Sequence, residues 1–144
     1  MRRGRVSLPH HCYLVTAATM DRQGFFCDFI AGCAAARCFE DPRILAGTSM
    51  LSWVLMPDHA HWLLQLGEGG NLSATVNQIK SASARCVNRV LGRSGPLWER
   101  AFHDHTLRAE DDLSSTARYV IANPVRAGLV RKVGDYPFWN AIWL

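Results

Sequence analysis

The chain has 144 residues, 49% apolar and 19% charged, with a formal net charge of +4 and a pI near 9.0. That length and balance argue against a disordered chain and fit one domain over residues 1–144, able to bury a sizeable core. The basic excess, nearly all arginine since only Lys80 and Lys132 are lysines, leans towards an acidic partner such as nucleic acid.

Five cysteines (Cys12, Cys27, Cys33, Cys38 and Cys86) form no C-x-x-C pair and leave an odd one over. Reduced thiols in a cytoplasmic protein are expected, not a disulfide framework or a zinc knuckle.

Residues 1–11 read as a basic N-terminal arm in which Arg2, Arg3 and Arg5 are candidates for phosphate contacts. No long apolar run follows, so neither a signal peptide nor a membrane span is expected. Residues 12–18 predict a first strand. A turn near 21–24 leads to a first helix over 28–39, with Phe29, Ile30, Cys33 and Ala36 or Arg37 at helical spacing, closed by Asp41-Pro42. Residues 45–56 and 60–66 predict two further strands, joined into a hairpin by Pro57-Asp58.

Asn71 or Ser73 caps a long second helix that Gly92 ends. Its apolar stripe is Leu72, Val76, Ile79, Ser83, Cys86, Val87 and Val90. Arg85, Arg89 and Arg93 recur at i, i+4 and i+8, which predicts one exposed basic ridge. No acid lies between Gly69 and Trp98, so that ridge is a second candidate for nucleic-acid contacts.

Residues 102–108 predict a fourth strand. Glu110-Asp-Asp112 suits the first turn of a third helix running to about Ala122, where Pro124 stops it. Residues 125–130 and an aromatic C-terminal tail over 131–144 predict a closing segment packed on the core. The order β, α, β, β, α, β, α is that of an α+β, ferredoxin-like split β-α-β core with an antiparallel sheet. The additional helix is expected on the free face of that sheet.

Two H-x-H pairs compete for attention. His59 and His61, two apart on a predicted strand, project from one face and would make half a metal site. His103 and His105 have the same spacing, and spacing alone leaves both open.

On the third helix, at about 100° per residue, Leu113, Ala117, Val120 and Ile121 share an apolar sector. Tyr119 lies roughly opposite, and Asn123 shares its face one turn on. A phenol is a weak nucleophile and needs a polarised electrophile. A cation held by the histidines and a third side chain would supply one by neutralising a scissile phosphate.

Taken together, Met56-Pro-Asp-His-Ala-His61, Gly95-Pro-Leu-Trp-Glu-Arg-Ala-Phe-His-Asp-His105 and Tyr119-Val-Ile-Ala-Asn-Pro-Val-Arg-Ala-Gly-Leu-Val130 resemble the REP-associated tyrosine transposases, within the HUH endonuclease superfamily. The resemblance runs through essentially the whole chain in order. It implies an HUH nuclease fold, His59 and His61 as metal ligands, Asn123 as the third, polar ligand, and Tyr119 as catalytic tyrosine.

It further implies Mg²⁺ or Mn²⁺, and attack on single-stranded or hairpin DNA to give a 5′-phosphotyrosine and a free 3′-hydroxyl. Candidates for gripping that DNA are Arg2, Arg3, Arg5, Arg85, Arg89, Arg93 and Arg126. A monomer or homodimer acting without a small-molecule substrate or a membrane is expected. Trp62, where relatives more often carry Leu, is a bulky neighbour able to crowd or stack at the site. Two other classes stay open: a hairpin-DNA-binding protein of the same fold without cleavage, and a zinc hydrolase that activates water between the histidines.

Overall fold

The computed structural model describes residues 11–108 and 112–143. The arm arginines Arg2, Arg3 and Arg5, and Glu110 and Asp111, lie outside them. Strand β1 (Cys12–Ala18) is followed by helix α1 (Phe29–Ala36), a short helix α2 (Pro42–Leu45), and strands β2 (Ser49–Met56) and β3 (His59–Gln65). Helix α3 (Leu72–Leu91), strand β4 (His103–Thr106), helices α4 (Leu113–Ile121) and α5 (Asn123–Arg126), and strand β5 (Trp139–Ala141) complete the order.

The sheet runs β4-β1-β3-β2-β5 with every pair antiparallel. Its first four positions are the expected ferredoxin-like arrangement. Period-two alternation divides the side chains between two faces. Tyr13, Val15, Trp53, Leu55, Ala60, Trp62 and Leu64 form one core with buried residues of α1 and α3. Leu51, Leu63, Val54 and Met56 meet α4 on the other, so the additional helix does occupy the free face. No helix among the described residues is long and apolar enough to cross a membrane.

Several local expectations change. Residues 45–48 are not strand: Asp41 accepts from the Arg43 amide and starts α2, and Ala46 ends it in the left-handed region at φ 48°. On α1, Phe29 and Ile30 are exposed, while Ala31, Gly32, Ala34 and Ala35 are buried. The helix is apolar nearly all round, so its small side chains, which allow close approach, decide the packing face. A Cβ on Gly32 would lie 2.3 Å from Cζ of Phe138.

Asn71 caps α3 through the Ala74 amide, and Gly92 ends it at φ 61°. Arg93 therefore lies beyond the helix and not on its ridge. It bonds Asn88 Oδ1 at 2.6 Å and stacks 4.5 Å from the Phe25 ring centroid. Val90 is exposed, and the buried face also includes Thr75, Lys80 and Ala82.

The helix carrying Tyr119 begins at Leu113, after the acidic run and not within it, because Asp112 is its N-cap, accepting from the Ser114 and Ser115 amides. Pro124 ends that helix but sits in the first turn of α5, a position where its missing N–H costs nothing. The aromatic tail does more than pack. Trp139–Ala141 adds an edge strand to β2, and the Tyr136 hydroxyl donates to the Leu55 carbonyl at 2.5 Å. The five cysteines are free thiols, with Cys38 Sγ 3.9 Å from Cys86 Sγ.

Candidate active site

Met56 pairs directly with His59 across the β2–β3 hairpin, leaving Pro57 and Asp58 as its two-residue turn. Neither takes the positive φ that hairpin turns usually favour. The turn is tied down from outside instead. The Thr19 amide and hydroxyl both donate to the Asp58 carbonyl, at 2.9 and 3.0 Å, and the Phe26 amide donates to the Pro57 carbonyl at 3.1 Å.

From this anchored turn His59 and His61 project on the face opposite the α1–α3 core, with ring centroids 4.9 Å apart and planes at 86°. Ala60, between them, is fully buried on the other side. So is Trp62, wedged between Phe39 and Trp98 with centroid distances of 5.3 and 5.7 Å. It cannot crowd or stack at the histidines, because an odd offset along a strand changes face.

Each imidazole is held at Nδ1. His59 Nδ1–H donates to Asp58 Oδ1 at 2.7 Å, and Arg22 Nε donates to Asp58 Oδ2 at 3.1 Å. His61 Nδ1 lies 2.9 Å from Thr16 Oγ1, its register partner on β1. With Nδ1 engaged in this way, Nε2 is the atom each ring offers to a ligand, and such outer partners fix ring orientation at metal sites.

Burial raises the Asp58 pKa, but the His59 hydrogen bond and the Arg22 charge outweigh it and hold the carboxyl below its ordinary value. Burial, then the charges of His59, Arg126 and Arg22, pull His61 down to about 4. A neutral imidazole is the form that can ligate a cation.

Helix α4 brings the second half. Ala117 packs with Leu51 and Leu63, while Val120 and Ile121, further along, pack with Val54 and Met56. Val54 and Met56 are the cross-strand partners of His61 and His59. The helix therefore runs towards the histidine end of the sheet and delivers its C-terminus there. Tyr119 is 60% exposed at that end, Asn123 is half-buried at the start of α5, and Arg126 Cζ lies 3.7 Å from the Tyr119 ring centroid.

Among the described residues no three His, Cys, Asp or Glu side chains form a metal cluster; the Asn123 amide is a candidate ligand of another type.

The other predicted contacts fall elsewhere. Arg85 and Arg89 are exposed on α3, which packs on the face opposite the histidines. Lys80, from the same acid-free span, is buried and donates to the carbonyls of Glu99, Arg100 and Ala101. His103 and His105 pair with Thr16 and Leu14 on β1, so both share the histidine face. His103 lies two strands from His61, about 10 Å by strand spacing.

Sequence reasoning missed Thr16 and Arg22. Thr16 carries no local signal, since only the register places it. Arg22 reaches Asp58 from a turn in which Asp21 and Arg22 both take positive φ, 55° and 54°, a conformation residue type alone does not announce.

A ferredoxin-like antiparallel sheet, a strand-borne histidine pair and a tyrosine helix laid over the same face together define the class to which this chain conforms. Comparison places it within that class. Residues 41–123, more than half of the chain, match the family described as Transposase IS200 like, and the chain belongs to that family.

The REP-associated tyrosine transposase of Escherichia coli K12 is 31% identical over 88 residues, 60% of this chain and 50% of that protein. A Haemophilus influenzae Rd relative, provisionally named a REP-associated tyrosine transposase, is 32% identical over 94 residues, 58% of this chain and 53% of its own length. The matches thus span about half of these curated relatives.

Among solved structures, a REP-associated tyrosine transposase bound to a REP hairpin superposes with TM-score 0.73 at 22% identity, over 96% of this chain and 81% of that one. A provisionally named transposase from Deinococcus radiodurans gives 0.59 at 22% identity, over 85% and 97%. Both share the fold.

Proposed function

We propose that this chain nicks and rejoins single-stranded DNA at hairpin-forming repeats, with Tyr119 as nucleophile. The observation that carries this reading is a convergence: α4 presents Tyr119, and the start of α5 presents Asn123, over the sheet face and at the sheet end where His59 and His61 project. The relatives' naming as transposases and the neighbour solved with a REP hairpin support the DNA substrate.

In the proposed step the Tyr119 oxygen attacks the scissile phosphorus. A phosphorus–tyrosine ester bond forms as the bond to the upstream 3′-oxygen breaks. The phenol proton leaves to solvent, and the departing oxygen takes a proton to become the 3′-hydroxyl. No water is consumed, so the 5′-phosphotyrosine conserves the ester for transfer to a new 3′-hydroxyl.

A divalent cation, Mg²⁺ or Mn²⁺, held by His59 and His61 through Nε2 and by the Asn123 amide oxygen, would neutralise phosphate charge and orient the group. Two imidazoles and an amide are softer donors than Mg²⁺ prefers, which favours Mn²⁺ in vitro. Asp58 and Thr16 keep the two rings aimed. The exposed face of Tyr119 leaves a path for a phosphodiester backbone.

A labelled hairpin oligonucleotide with single-stranded flanks, incubated with Mn²⁺ and resolved on a denaturing gel, tests the reading. A covalent protein–DNA adduct is expected, lost in Tyr119→Phe and in His59→Ala. Cleavage by Tyr119→Phe at the wild-type rate overturns the nucleophile. Binding without an adduct in any divalent cation favours a DNA-binding protein that does not cleave.

A further inference from the structure

Tyr119, Asn123 and Arg126 stand at i, i+4 and i+7. The Ala122 junction between α4 and α5 keeps right-handed helical angles, φ −81° and ψ −3°, so the three stay on one stripe despite the break at Pro124. The Arg126 guanidinium lies against the Tyr119 ring, Cζ 3.7 Å from its centroid. Arg126 is exposed and forms no salt bridge with a carboxylate among the described residues. It also lies just past the 41–123 family match.

A guanidinium stacked on a ring uses its flat face and leaves its N–H edge available, and that edge matches two phosphate oxygens at once. Helix α5 packs on β2, whose Met56 and Val54 are the cross-strand partners of His59 and His61, so this edge lies on the histidine side of the sheet. Asp58, beside the histidines, is already paired with His59 and Arg22. Among the described residues the Arg126 cation thus has no carboxylate partner, although the Tyr119 ring holds it in a specific place.

Resting on the function proposed above, we propose that Arg126 is the phosphate-binding residue of the reaction. It holds the Tyr119 ring in its attacking orientation through the stack, and offers its N–H edge to the non-bridging oxygens of the scissile phosphate. As the tyrosine ester bond forms and the 3′ bond breaks, charge gathers on those oxygens, and the guanidinium stabilises it without reorganising.

The test measures adduct formation at saturating hairpin DNA for wild type, Arg126→Ala and Arg126→Lys, together with DNA affinity. Each protein is also run on a substrate with a neutral methylphosphonate at the scissile linkage. Arg126→Ala is expected to slow adduct formation about 10²–10³-fold with affinity little changed, and Arg126→Lys to recover part of that loss.

On the methylphosphonate the gap between wild type and Arg126→Ala should close to within about threefold, because the oxygen it serves has been removed. A merely structural role would leave the gap unchanged. An unchanged gap, or an Arg126→Ala rate equal to wild type, overturns the inference while leaving Tyr119 as nucleophile. Absence of any adduct with wild type overturns both.

Discussion

Thr16 and His61 face each other across β1 and β3, with Oγ1 2.9 Å from Nδ1. The contact joins the first strand to the candidate metal-binding pair and leaves Nε2 as the atom the ring can offer to a ligand. Thr16→Val keeps the shape and removes the hydroxyl, so the ring is no longer held. Outer partners of this kind are worth about 10–100-fold in metal affinity. Titration with Mn²⁺, followed by electron paramagnetic resonance of the free ion, should report that loss while the thermal transition of the metal-free protein moves little.

The same histidine makes the metal-free protein acid-sensitive. His61 has its pKa drawn from 6.5 to about 4 by burial first and then by His59, Arg126 and Arg22. The unfolded chain binds this proton at higher pH than the folded one does. Its contribution is therefore fully present above about pH 6.5 and is lost as pH falls towards 4, up to on the order of 3 kcal/mol. Urea unfolding between pH 7 and 4 should show this decline, reduced in His61→Gln.

Gly32 is where α1 meets the C-terminal tail. A Cβ there would lie 2.3 Å from Phe138 Cζ, and Phe138 is itself buried behind the Phe29 ring, with centroids 5.5 Å apart. Gly32→Ala should destabilise the fold by about 1–3 kcal/mol through overpacking, despite the better helix propensity of alanine. Adding Phe138→Leu should recover part of the loss. Chemical denaturation of the single and double variants measures both.

Lys80 holds the segment that leads into β4. Its ammonium donates to three successive carbonyls, Glu99 at 2.8 Å, Arg100 at 3.3 Å and Ala101 at 3.0 Å, and lies 5.4 Å from the Phe102 ring centroid. Lys80→Met keeps the stem but strands those carbonyls, a cost of about 1–3 kcal/mol. Hydrogen exchange at the β1–β4 ladder amides should quicken first. Hairpin affinity should change no more than that loss of folded protein explains.

The sequence by itself determined whatever depends on a few neighbouring residues. Period two put His59 and His61 on one face, and the same alternation sends Trp62 to the other, away from the site. Asn71 and Gly92 bounded α3 because caps act through adjacent amides and carbonyls. The helical period separated Tyr119 from Ala117, Val120 and Ile121 on α4.

The tertiary structure decided the rest, because those contacts join residues far apart in the chain. Thr16 reaches His61 only through strand register, and Arg22 reaches Asp58 only through a positive-φ turn. On α1 the small side chains won the buried face because Phe138, more than a hundred residues on, needs the space above Gly32. Arg93 left its ridge because Gly92 turned the chain. Arg126 came to lie on Tyr119 because Pro124, read as a stop, fits the first turn of a new helix and lets the helical direction continue.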